Sequence, residues 1–184
     1  MRTYKMYWVA LMVLCVLNTF CGCVPWKCQS LSGNLSSPLT TVLLVRHAEK
    51  AGQGQDPPLS TEGQQRAQTL VHVLGKAKIA AVYVTEYQRT QQTAKPLCDQ
   101  LGLSFKVMNA NNVDALIEQA LEDYTGKVVL VVGHSNTVPE IIKALSGKSI
   151  PSIPESEFDN LFVVTVSGFG KGKVLNLKYG EPSS

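Results

Sequence analysis

The chain has 184 residues, 45% of them hydrophobic and 17% charged. That is enough apolar material for one packed domain with an appendage, and it excludes a disordered chain. The formal charge is +3, and removing Arg2 and Lys5 with the leader described below leaves 15 basic against 14 acidic side chains. A nearly neutral body argues against nucleic acid as a main partner.

Residues 1–22 read as an export signal. Arg2 and Lys5 give a positive start, and an apolar run follows from Met6 to Phe20. The run is short for a membrane span of about 20 residues, which favours cleavage over a permanent helix. Gly22 before Cys23 resembles a lipobox, although Phe20 stands where leucine is usual. Three outcomes stay open: lipidation of Cys23 with membrane attachment, ordinary cleavage, or an uncleaved anchor. In each case the expected location is exported, in a periplasm or on an outer surface. Residues 23–40, rich in Ser, Pro and Gly, read as a linker to a domain over residues 41–180. Of five cysteines only Cys98 lies in that domain. It is expected as a buried thiol, with a Cys28–Cys98 disulfide as the alternative. No Cys and His spacing fits a zinc site, so no metal is expected.

The domain alternates strand and helix patterns. Residues 42–45 form a β-branched and leucine run that stops at Arg46, His47, Glu49 and Lys50. A buried strand ending in charges marks the carboxyl edge of a parallel sheet, where open α/β sheets place ligands. A helix follows from a capping box at residues 61–64, with Ala67, Leu70, Val71 and Leu74 on one face and a stop at Gly75. Residues 80–84 are a strand and residues 88–100 a helix, which Pro96 should kink or shorten in its regular part. Residues 104–108 form a strand, and Val113, Leu116, Ile117, Ala120 and Leu121 keep helical spacing. Residues 128–132 are apolar throughout, as in a central strand. A helix with a second capping box, Thr137 to Glu140, ends at Gly147. Residues 161–166 and 174–178 are strands around a glycine-rich hairpin turn. The order predicts a three-layer α/β/α sandwich with a mainly parallel central sheet.

Three strand ends then present polar groups to one edge: Arg46 with His47, the run from Thr85 to Arg89, and His134. Arg is a fixed cation with a planar fork suited to phosphate, and His is the side chain best fitted to carry a phosphoryl group near neutral pH. Leu44-Val45-Arg46-His47-Ala48-Glu49 resembles the signature of the histidine phosphatase superfamily, which includes the cofactor-dependent phosphoglycerate mutases. The run from Pro58 to Ala67, the run from Thr85 to Ala94, and Val132-Gly133-His134-Ser135-Asn136 are similar to its further motifs, in order across residues 41–147.

The resemblance implies a phosphoglycerate mutase-like fold and a covalent phosphohistidine on His47. Arg46 and Arg89 would clamp the phosphoryl oxygens, His134 would donate to the same group, and Asn136 would add a neutral donor. Glu49 is a further substrate-side candidate, though orienting the loop explains it as well. The leaving-group acid is open between Asp114, which a helix dipole would also favour, and Glu86. Short relatives, notably bacterial phosphohistidine phosphatases, act without a clear acid. No cofactor is implied. The expected function is an exported, metal-independent phosphatase acting on a phosphorylated small molecule or phosphoprotein. The alternatives are a mutase-type phosphotransferase and a non-catalytic phosphate-binding module. The short stretch between Arg89 and His134 argues against a mutase.

Overall fold

The computed structural model describes residues 38–183; the stretch read as an export signal, Cys23, Cys28 and nearly all of the expected linker lie outside them. Among the described residues, no helix is long and apolar enough to cross a membrane. Six strands form one sheet: β1 (Thr40–Arg46), β2 (Ile79–Thr85), β3 (Phe105–Met108), β4 (Val128–Gly133), β5 (Asn160–Val166) and β6 (Lys173–Lys178). Their order is β3-β2-β4-β1-β5-β6. The three ladders from β3 to β1 are parallel, and the two that add β5 and β6 are antiparallel. The expected α/β sandwich with a mainly parallel central sheet is what these residues form, and the sheet is mixed because β5 and β6 add antiparallel.

The helices of the described residues are α1 (Thr61–Leu74), α2 (Gln88–Leu101), α3 (Val113–Asp123) and α4 (Thr137–Ser146). One face of the sheet buries Leu43, Val45, Val82 and Val132 against Leu70 and Leu74 of α1 and Ala94, Leu97 and Cys98 of α2. The other buries Val42, Leu44 and Val131 against Leu116 and Ile117 of α3 and Ile141, Ile142 and Leu145 of α4. The central strands β1 and β4 are therefore apolar in every residue that lies between the layers, since both of their faces are covered. Cys98 is buried and has no disulfide partner among the described residues, and its expected alternative partner Cys28 lies outside them.

Three local expectations are corrected. Helix α1 is capped by Ser60, whose hydroxyl accepts from the Gly63 amide, one residue ahead of the box read at Thr61. Helix α4 has no side-chain cap at Asn136, and Thr137 Oγ1 accepts instead from the His134 amide at 2.8 Å. The second box therefore serves the strand end and not the helix. Pro96 does not interrupt α2, which runs continuously through it. The bond lost is the one to the Gln92 carbonyl, and both residues border an open surface cavity where solvent can take that carbonyl.

Candidate active site

Parallel pairing sets the site. In the β1–β4 register Arg46 lies opposite Gly133, and the His47 amide extends the ladder by donating to the Gly133 carbonyl at 2.9 Å. His47 and His134 thus leave adjacent strands side by side, with ring centroids 5.5 Å apart. A cavity of about 260 Å³ opens there. Arg46, His47, Arg89, His134 and Asn136 all line it, with Lys50, Tyr87, Ser135 and Glu155 beside them. Two imidazoles and two guanidiniums separated by up to 88 positions in sequence therefore meet in one pocket.

The hydrogen bonds fix the state of each imidazole. His47 Nδ1 lies 2.8 Å from the Ala48 carbonyl oxygen, which can only accept, so Nδ1 carries the proton and Nε2 the lone pair. Burial pushes the His47 pKa down to about 3; the Ala48 carbonyl works against this, and the Arg46, His134 and Arg89 charges add to it. His134 is set by a chain of hydroxyls. Thr90 Oγ1 donates to the Tyr87 carbonyl at 2.8 Å. The Thr85 hydroxyl, 2.9 Å from Thr90 Oγ1, is left to donate to it and to accept from His134 Nε2–H at 3.0 Å. The His134 lone pair then sits on Nδ1, 3.5 Å from Arg89 Nη2. Burial first, and Arg89 next, bring the His134 pKa down to about 4. Both rings are neutral at physiological pH, and His47 presents an unprotonated nitrogen.

The arginines are held from behind. Arg46 is 1% exposed, and its Nη1 donates to the carbonyls of Pro154, Glu155 and Glu157. Its guanidinium stacks 4.4 Å from the Phe158 ring centroid, and that ring also lies 6.0 Å from His47. Arg89 lies over Tyr87 at 4.3 Å and near Asp56 at 3.7 Å. Thr93 ties the two halves together: its hydroxyl donates to the Arg89 carbonyl at 2.7 Å and accepts from the Ala48 amide at 2.9 Å. Ser135, Asn136 and Thr137 bring the amino end of α4, where unpaired amides favour an anion, to the same wall.

The carboxylates are arranged differently from the sequence expectation. Asp114 is exposed in the first turn of α3 and does not line the cavity. Glu86 does not line it either, and its carboxylate accepts from the Ala110 amide at 2.9 Å. Glu49 is turned into a bidentate pair with Arg66, with contacts of 2.7 to 3.0 Å, and lines a separate cavity. Among the described residues lining the pocket the one carboxylate is Glu155. Neither Glu155 nor Phe158 was singled out from sequence, because the segment around them has no periodicity or motif. Pro151 and Pro154 mark a loop there but say nothing of its chemistry.

A model of the histidine phosphatase superfamily, branch 1, matches residues 42–111. No curated protein sequence matches the chain. Among solved structures, the protein histidine phosphatase SixA complexed with tungstate is 21% identical at a TM-score of 0.61, over 75% of this chain and 96% of that one. A mycobacterial glucosyl-3-phosphoglycerate phosphatase is 15% identical at 0.59, over 77% and 98%. A protein described as mycobacterial hydrolase 2 is 15% identical at 0.60, over 79% and 92%. Residues 42–111 thus match the histidine phosphatase superfamily model, and the described residues share the fold of these solved structures.

Proposed function

We propose that the chain is a metal-independent phosphatase that works through a phosphohistidine on His47. The observation that carries this is the Nδ1 contact to the Ala48 carbonyl. It commits His47 Nε2 as a neutral nucleophile inside a pocket whose other walls supply Arg46, Arg89, Lys50 and the start of α4. These groups hold the non-bridging oxygens and the charge that spreads over them during transfer. The His47 Nε2 bonds to phosphorus as the bond to the leaving group breaks, and the ring proton stays on Nδ1, donated to the Ala48 carbonyl. Water then attacks phosphorus, the P–N bond breaks, and phosphate leaves with free His47. A phosphoryl dianion beside His134 opposes the Arg89 field, so that His134 gains a proton and donates through Nδ1.

The substrate class follows from the carboxylates. Glu86 and Asp114 lie off the pocket wall, and Glu155 is held ionised, its pKa lowered first by the Ser135 hydroxyl and further by Arg46 against the opposing effect of burial. A site so furnished suits leaving groups that need little protonation, such as the imidazole of a phosphohistidine, over a simple alkyl phosphate. Export, with the mature chain beginning near Cys23, is part of the same proposal and rests on residues 1–22 alone; intact mass of the secreted species tests it.

The test of function is phosphate release from a panel of phosphoesters and one phosphohistidine protein, with and without chelator. His47→Ala should remove turnover, and Arg89→Ala should lower kcat/KM by about 10²-fold. Unchanged hydrolysis by His47→Ala would reject the assignment.

A further inference from the structure

Arg46 has one fork edge, formed by Nε–H and the nearer Nη2–H, that can grip two oxygens of an anion at once. The other nitrogen, Nη1, is spent on three backbone carbonyls of the 154–157 segment. On the fork edge Nε is buried and has no hydrogen-bond partner. Nη2 is not free: it donates to Glu155 Oε2 at 2.8 Å. The second Glu155 oxygen accepts from the Ser135 hydroxyl at 2.9 Å. Glu155 itself is 72% exposed, so a solvent-facing carboxylate reaches in and covers half of the edge of a guanidinium that is 1% exposed.

We propose that Glu155 is an intramolecular counter-anion that competes with the phosphoryl group for Arg46, and that this competition selects dianionic monoesters over monoanionic diesters. The inference rests on the phosphatase reading of the pocket. A ligand that forks Nε and Nη2 must turn Glu155 out. The carboxylate is tethered to the same fold, so it competes at a high effective concentration. A monoanion that replaces it exchanges one negative charge for another and gains no Coulomb energy. A phosphoryl dianion brings a second charge to Arg46, Arg89 and Lys50 and supplies the oxygen that Nε lacks, so it wins the exchange. Glu155 is then a specificity-determining residue set by its charge. The carboxylate stays bonded to Ser135 or moves into solvent once displaced.

Calorimetric titration of the whole protein with inorganic phosphate and with dimethyl phosphate at pH 8 tests this, using the native chain, Glu155→Gln and Glu155→Ala. The exposed position of residue 155 makes both variants compatible with folding. Removing one unit charge next to the anion should tighten inorganic phosphate about tenfold in low salt, less at high salt. Dimethyl phosphate, without measurable binding to the native chain, should bind both variants. Unchanged or weaker phosphate binding by both variants overturns the proposal and makes Glu155 a support for Arg46. A native chain that binds phosphate, shows the tenfold gain on Glu155→Gln and yet hydrolyses no phosphoester keeps the competition and sinks only the phosphatase reading. A native chain that does not bind phosphate overturns both.

Discussion

Single atoms decide how this pocket is built, and Gly63 shows it away from the charged groups. A Cβ added there would lie 2.1 Å from the Glu49 carbonyl oxygen, a backbone atom already fixed by the Ser60 amide at 2.9 Å. Neither partner can rotate aside, so the first turn of α1 must lift off the loop that follows His47. Gly63→Ala should destabilise the protein by about 2–3 kcal/mol and lower kcat/KM, as urea unfolding and steady-state kinetics would show. A variant as stable as the native chain would mean that the loop yields without cost. Sequence made Gly63 visible as part of a helix opening, but the carbonyl that forbids a side chain comes from a residue 14 positions away in sequence. His47 and His134 were legible because their motifs end strands. Glu155 was not, since its meaning depends on a guanidinium 109 positions earlier.

At the level of elements, periodicity gave the strands and helices, and it misjudged the caps and Pro96 because those depend on neighbours that no local pattern records. The join between α1 and the chain's end is of the same kind. Arg66 of α1, 6% exposed, takes both oxygens of Glu49 and also donates to the carbonyls of Tyr179 and Glu181 at 3.0 Å each. One guanidinium thereby fastens the loop after β1, the helix and the segment after β6. Breaking a buried pair from one side leaves an uncompensated charge, at a cost of about 3–5 kcal/mol; Glu49 is 22% exposed, so solvent reduces the figure to about 2–3 kcal/mol. Glu49→Gln should show that loss in urea unfolding at pH 7. Because Glu49 lies outside the phosphate pocket, inorganic phosphate affinity should change less than threefold. A large rise in the dissociation constant with stability intact would instead return Glu49 to the substrate.

For the molecule as a whole, the pocket is a standing cost to folding that has a signature in pH. His47 and His134 are held with pKa values of about 3 and about 4 against 6.5 for the free side chain. As pH falls below 6.5 the unfolded chain binds two protons that the native chain refuses, so native stability falls. The slope approaches about 1.4 kcal/mol per pH unit for each imidazole once the unfolded state is fully protonated. The lowered carboxyls Glu155 and Asp159 act in the same direction, but only below their ordinary values of 4.5 and 3.8. Between pH 6.5 and 5 the loss therefore belongs to the histidines. Urea unfolding at pH 7, 6 and 5 should show it, and a His47→Asn, His134→Asn double variant should remove most of it. Saturating phosphate should both raise stability and flatten the slope, because an anion between Arg46, Arg89 and the rings binds only the folded state and lets the imidazoles accept protons. If the double variant keeps the full native slope, the two rings are not the groups that resist protonation, and the neutral nucleophile on which the proposed chemistry depends loses its physical basis.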